Sequence, residues 1–210
     1  MPDTRTRLLE GALETLRTKG IAGASARSIA AAAGVNQALV FYHFGSVHEL
    51  LSAACTESAR ERVASYIDDF DAVTSLAELL QLGMRIHDVE RANGNLIVLA
   101  QLLAGAQSDP DLAAPTALAL KLWIDVIEQV LHRVLASSPF ADVLDIPGLA
   151  KAISAAFVGL ELYDGIDASG AESALSAIAQ LGALIDVVED LGPASRRVLR
   201  SKLRRSANRS

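Results

Sequence analysis

A single cysteine, Cys55, rules out an intrachain disulfide and suits a reducing cytoplasm. Its simplest role is that of a small helix residue, since a redox sensor would need an electropositive neighbourhood. Long hydrophobic runs are missing too. The longest, around Leu96–Ala100 and Ala155–Leu160, stop at Gln101 and Glu161, well short of the ~18–20 residues of a membrane span. The opening residues Met-Pro-Asp-Thr-Arg-Thr-Arg have no apolar core behind them, which argues against a secretory signal. A cytoplasmic location with no membrane partner is therefore expected. Aromatic residues are few, nine in 210, and no stretch alternates apolar and polar long enough for a strand. The four histidines, His43, His48, His87 and His132, have no metal-ligand spacing with the lone cysteine. There is no Ser-His-Asp or Cys-His set, no phosphate-cradling glycine loop and no His-Glu-x-x-His. No catalytic residue, metal or cofactor is expected.

What the chain does have is aliphatic content and unevenly placed charge. It is 51% hydrophobic, enough for one large core or two small ones. Alanine and leucine account for much of the mean hydropathy of +0.30. The net charge is −6. Residues 1–51 hold five basic and four acidic side chains, residues 52–192 hold seven and twenty-one, and residues 193–210 hold seven and none. The acidic middle would repel a polyanion, so only the two ends could approach one.

Apolar periodicity and cap signals predict helices throughout. The first runs from Thr4 to Lys19, with Leu8, Leu9, Ala12, Leu13 and Leu16 as its buried stripe, and ends at Gly20. A long helix begins at Ser46, where Glu49 completes a capping box, and continues to about Phe70. Further helices are expected over Ser75–Arg91, Asn95–Ala106, from Pro110 to Ala136, Pro147–Tyr163 and Ala171–Leu191. Residues 137–146 read as a loop, and Asp164–Gly170 as a turn. Gly192-Pro193 breaks the chain before a short basic tail, Arg196–Arg209, which reads as a solvated end or an accessory DNA contact.

Residues 25–44 carry the most information. Ser25 can cap a short helix, because its hydroxyl can accept from a free first-turn N–H. Gly34 follows four alanines and can take the left-handed conformation that closes a helix. Asn36 caps a second helix that opens with Gln37. Ile29, Ala30, Val35 and Leu39 form an inner face, which leaves Gln37, Ala38, Tyr42 and His43 outside. This is the layout of a helix-turn-helix, whose second helix presents its first residues to base edges. The Gln37 amide can pair with adenine, and Ala38 can touch a thymine methyl. Tyr42 and His43 lie one turn later, placed for phosphates, while Ser25 and Arg27 open the first helix beside the backbone.

The run from Lys19-Gly20-Ile21 through Ile29-Ala30, Ala33-Gly34-Val35-Asn36 and Phe41-Tyr42-His43-Phe44 to Ser46 and Glu49-Leu50 resembles the tetracycline-repressor (TetR) family of bacterial regulators. The resemblance covers about the first fifty residues. The family usually has tyrosine where this chain has Phe41, and lysine where it has Val47. Both usual residues reach phosphate oxygens; Tyr42, His43 and His48 are the polar groups nearby. The resemblance implies an all-α fold of nine or ten helices. A three-helix DNA-binding domain, residues 1–50, would precede a helical ligand-binding and dimerisation domain, residues 51–210, ending in the basic tail. The DNA-binding set is then Ser25, Arg27, Asn36, Gln37, Ala38, Phe41, Tyr42 and His43.

Small residues recur late in the chain. Ala152, Ala156 and Gly159 share one side of a helix, as do Ala174, Ile178, Gly182 and Ile185. Such spacing lets helix backbones approach closely, either inside one chain or as the seam of a homodimer; the family's dimer interface lies at this end of the chain. Polar groups interrupt apolar faces at His87, Gln101, Glu128, His132, Glu161 and Tyr163. Of these His87, Gln101 and Glu161, with Met84, Trp123 and Phe157 as apolar lining, are candidates for a small-molecule site; each is otherwise a core or surface residue. A buried Glu161 would favour a cationic or hydroxyl-bearing ligand. The resemblance implies a repressor released from a pseudo-palindromic DNA operator by a small-molecule effector. The alternatives are an activator or global DNA binder of the same fold, and a helical protein-interaction module that has lost DNA binding.

Overall fold

The computed structural model describes residues 3–136, 138, 144–189, 192, 195 and 198, with side chains left undescribed over 181–189. Among the described residues there are ten α-helices, one 3-10 turn and no strand. In order they are α1 (Thr4–Lys19), the 3-10 turn (Ile21–Gly23), α2 (Ala26–Ala33), α3 (Ala38–Phe44), α4 (Val47–Ser65), α5 (Ile67–Ala72), α6 (Leu76–Ala92), α7 (Asn95–Ser108), α8 (Pro110–Leu135), α9 (Ile146–Asp164) and α10 (Ala168–Glu189). The all-α expectation holds. Pro193, most of the Arg196–Arg209 tail and most of the expected 137–146 loop lie outside the described residues.

Two compact units divide the chain. One takes the residues up to Ser65 together with Val89–Leu122; the other takes Tyr66–Asp88 and the residues from Trp123 onward. In the first unit the α1 stripe is as expected: Leu8, Ala12 and Leu16 are fully buried and Leu9 nearly so. Each buried leucine contributes roughly 1.5–3 kcal/mol. Ile29, Val40 and Leu50 join them, and the same core continues into Val98 and Leu102 of α7 and Leu112 and Ala119 of α8. The α1–α2 crossing is close because Gly11 has no side chain. A Cβ there would lie 2.9 Å from the Ala33 nitrogen and from the Ile29 carbonyl oxygen.

In the second unit the buried residues include Phe70, Val73, Leu82 and Ile86, then Val130, Leu131 and Leu135 of α8, Ala150 of α9 and Ala171 of α10. The expected single helix from Ser46 to Phe70 is two helices, broken at Tyr66, where φ is −106° and ψ is 4°. Neither glycine nor proline marks the break. The Ser65 hydroxyl donates to the Arg62 carbonyl at 2.7 Å, competing with the helix ladder. Beyond it, the Tyr66 and Phe70 rings both face Trp123, at 6.0 and 6.5 Å between centroids. Arg133 Nη2 then donates to the Phe70 and Val73 carbonyls at 2.6 and 3.2 Å, closing the end of α5.

The last helix also starts earlier than expected. Asp167 accepts from the Gly170 N–H at 3.0 Å and from the Tyr163 hydroxyl at 3.2 Å. This cap turns residues 168–170 into the first turn of α10. The backbone bond from Gly170, with the Ser169 and Tyr163 hydroxyls, holds the Asp167 carboxyl below its ordinary range. By length and composition alone, α9, with 19 residues and a window of mean hydropathy 1.3, is long and apolar enough to cross a membrane.

Candidate nucleic-acid interface and regulatory residues

Local hydrogen bonds build the helix-turn-helix. The Ser25 side chain accepts from the Ser28 N–H at 3.2 Å, and the Ser28 hydroxyl accepts from the Ser25 N–H at 2.9 Å, a reciprocal capping box. Gly34 is left-handed (φ 63°, ψ 38°), and its N–H with that of Val35 returns to the Ala30 and Ala31 carbonyls. That pattern ends α2 in the six-to-one bond typical of helix C-termini. Arg7 reaches over from α1 and donates to the Ala33 and Gly34 carbonyls at 2.7 and 2.9 Å. The turn is thus held from inside and from α1. Asn36 Oδ1 accepts from the Ala38 N–H at 2.9 Å, and Gln37 has helical backbone angles. Asn36 thus holds the start of α3 through the Ala38 N–H, and Gln37, with helical angles, immediately precedes α3.

Val40 and Phe44 face inward, and Val35 and Leu39 are half-buried. On the opposite face Gln37, Ala38, Phe41, Tyr42 and His43 are all exposed, with Tyr42 at 81% and Phe41 at 53%. Ser25, Arg27 and Asn36 are exposed as well. Two large aromatic rings in water on one short helix are an unusual expense for a free surface. They make sense where a partner covers them. The basic side chains nearby are mostly engaged: Arg7 in the turn, Arg5 on Glu57 at 3.2 Å, and Arg17 on Glu14. His48, a neighbour of Val47, pairs with Asp109 at 2.9 Å.

The ligand candidates do not form one set. His87 Nδ1 and Glu161 Oε1 lie 2.7 Å apart, with side chains 4% and 2% exposed. The Phe157 ring packs edge-on against the His87 ring at 6.3 Å. Met84, one turn before His87, is half-buried. Trp123 belongs to the ring cluster with Tyr66 and Phe70. Gln101 belongs to the first unit, where its amide oxygen accepts from the Ile21 N–H at 2.9 Å. That bond accounts for its polarity without a ligand. Glu128 and His132 are a surface pair at 3.8 Å, and Tyr163 is spent on the Asp167 cap.

The small-residue stripe of α9 points outward. Ala152, Ala156 and Gly159 are exposed, and a Cβ at Gly159 would meet nothing within 4 Å. Ile146, Ala150, Ser154 and Glu161 form the opposite, buried face. Ala174 and Ile178 of α10 are half-buried. The side chains of Gly182 and Ile185 lie outside the described residues.

Cys55 is buried, and desolvation pushes its thiol up to about 11, against the smaller opposing effects of Arg62 and Thr116. A thiol protonated at neutral pH suits the small-residue role. The Arg62 side chain of α4 is bonded to nearly buried Glu90 at 3.0 Å, which also accepts from Asn95 at 2.9 Å.

Comparison with known proteins agrees with this geometry. Residues 8–54 match the family model of bacterial regulatory proteins, tetR family. Among solved structures, a protein from Rhodococcus sp. assigned as a TetR-family transcriptional regulator superposes with a TM-score of 0.73 at 25% identity, over 90% of this chain and 99% of that one. The transcriptional regulator FadR from Bacillus subtilis, solved with stearoyl-CoA, gives 0.71 at 16% identity, over 84% and 96%. The multidrug binding protein EbrR, solved with imidazole, gives 0.57 at 24% identity, over 84% and 95%. No curated protein matches the chain. The matched residues are those whose caps, left-handed glycine and exposed α3 have just been described, and over residues 8–54 the chain is similar to the tetR family of bacterial regulatory proteins.

Proposed function

We propose that this protein is a homodimeric transcriptional repressor, cytoplasmic and without enzymatic activity, that a small molecule releases from a pseudo-palindromic operator. The observation that carries the DNA-binding part is the exposed face of α3, where Gln37, Ala38, Tyr42 and His43 surround the exposed Phe41 ring. Residues 1–50 would read DNA, and residues 51–210 would dimerise and hold the effector. Gln37→Ala is expected to abolish discrimination between operator and random DNA while leaving the fold intact. Losing one bidentate base contact costs roughly 1–3 kcal/mol per half-site. Operator DNA selected from a random pool, followed by titration of both duplexes, measures it; an unchanged ratio removes Gln37 from the reading set.

The dimer reading rests on α9. Only 22% of its most apolar window is buried within the chain, and its outer face is Ala152, Ala156, Gly159 and Leu162. A second copy of the same helix pair, α9 with α10, is the occupant that would cover it. Because an added side chain at Gly159 has open space within the chain, Gly159→Leu should fold and fail to dimerise. Sedimentation at micromolar concentration tests this. A wild-type dimer in that variant places the seam elsewhere.

For the effector, the buried His87–Glu161 pair is the polar end and Phe157 with Met84 the apolar wall. A cation or hydroxyl could replace the imidazole on the carboxylate. Effector binding releases DNA only if it favours a head arrangement other than the operator-bound one.

A further inference from the structure

Within the first compact unit, one face of α7 carries Val98, Gln101, Leu102, Gly105 and, just past its end, Asp109. Their spacing of three and four places them on one side of the helix. All five meet the head or its core. Val98 and Leu102 belong to the head's apolar cluster. A Cβ at Gly105 would lie 3.1 Å from Ile21 Cγ1. Asp109 pairs with His48 at 2.9 Å. The turn before α7 joins in: Gly94 is left-handed (φ 68°), and a Cβ there would lie 2.9 Å from Arg17 Cδ.

The sole polar side chain of this face between Val98 and Gly105 is Gln101, and it does a specific task. Ile21 opens the 3-10 turn between α1 and α2, where an N–H has no partner within its own helix. The Gln101 carbonyl supplies that partner at 2.9 Å from eighty residues away. Gly20 makes room for it, since a Cβ there would lie 2.8 Å from Gln101 Oε1. From this point the chain of contacts runs along α1 to Arg7, which holds the Ala33 and Gly34 carbonyls in front of α3. Upstream, Glu90 at the end of α6 is fixed by Arg62 and Asn95.

We infer that Gln101 is a positioning residue for DNA recognition. It ties α7 to the start of the 3-10 turn, so that the placement of the proposed reading helix depends, through α1, on α7. The half-site spacing that the dimer selects then depends on this bond. The inference rests on the proposed function.

The test compares full-length wild type with Gln101→Met, which keeps the side chain's length without its oxygen, and Gln101→Glu, which keeps an acceptor. Two readouts are needed: hydrogen exchange at the Ile21 amide, and the half-site spacings enriched from random duplex pools. In Gln101→Met, exchange at Ile21 is expected to rise about fivefold, the share of one hydrogen bond, and the enriched spacings to broaden. Gln101→Glu should restore both. Wild-type exchange and spacing in Gln101→Met overturn the inference. So does faster exchange with unchanged spacing, which would make the bond purely structural, and so does a Glu variant that behaves like Met. If wild type itself enriches no sequence, the DNA-binding reading fails first and takes the spacing role with it.

Discussion

Gly11→Ala should destabilise the head, although alanine is the better helix former by about 1 kcal/mol. The propensity gain acts on α1 alone. The opposing effect comes from α2, whose Ala33 nitrogen and Ile29 carbonyl oxygen would both stand 2.9 Å from the new Cβ. Backbone atoms in a helix cannot swing aside as a side-chain tip can, so α1 and α2 must separate. Overpacking of this kind typically costs about 1–3 kcal/mol, and Gly11→Leu should cost more, enough to lose DNA binding with the fold. Gly83 is the internal control. It lies in the middle of α6 with nothing within 4 Å of an added Cβ, so Gly83→Ala should stabilise by roughly 0.5–1 kcal/mol. Denaturant titration of the two variants should show shifts of opposite sign. A Gly11→Ala protein as stable as wild type would mean that the crossing is looser than the structure has it.

Glu161→Leu is expected to be among the most damaging single changes in the second unit. It strands His87, whose ring nitrogen lies 2.7 Å from the carboxylate in a site where both side chains are almost wholly buried. Removing one partner of such a pair costs about 3–5 kcal/mol. Replacing both at once is a different matter, because no buried polar group is then left behind. The double variant His87→Phe with Glu161→Leu should recover most of the lost stability. Trp123 is the only tryptophan, and its packing on Tyr66 and Phe70 makes its emission a direct monitor of unfolding in this unit. Protein concentration must be held constant, since the proposed dimer would make stability depend on it. If the two single changes simply add in the double variant, the residues are not coupled.

The helix-turn-helix was legible because its determinants are local. A serine cap, a glycine after an alanine run and an asparagine two residues later act within six residues of themselves. The turn's second support, Arg7, was not legible, because it arrives from α1. The same distinction separates the other outcomes. Pro147 announces α9 to within one residue, whereas the break at Tyr66 depends on Trp123 and Arg133, far along the chain. Gln101 and Glu161 look alike in sequence, each a polar residue ending an apolar run. One meets a backbone N–H and the other a buried histidine, and only the tertiary partner tells them apart. Gly11 gives no sign at all in a helix that has enough propensity without it.

The apolar core that starts under α1 does not stop where the reading helices stop; it runs on into Val98, Leu102, Leu112 and Ala119. This bears on modularity. A head cut after residue 50 would lose the α7 face that packs on α1, and with it Val98, Leu102, Leu112 and Ala119 of the shared core. Grafted onto another regulator's bundle, it would meet a foreign helix face with no glutamine for Ile21 and no glycine where Gly105 gives it room. The portable unit of DNA recognition in this chain is discontinuous in sequence. A designer who wishes to move its specificity must move the 98–112 face with the first 65 residues, or rebuild the receiving helix to match.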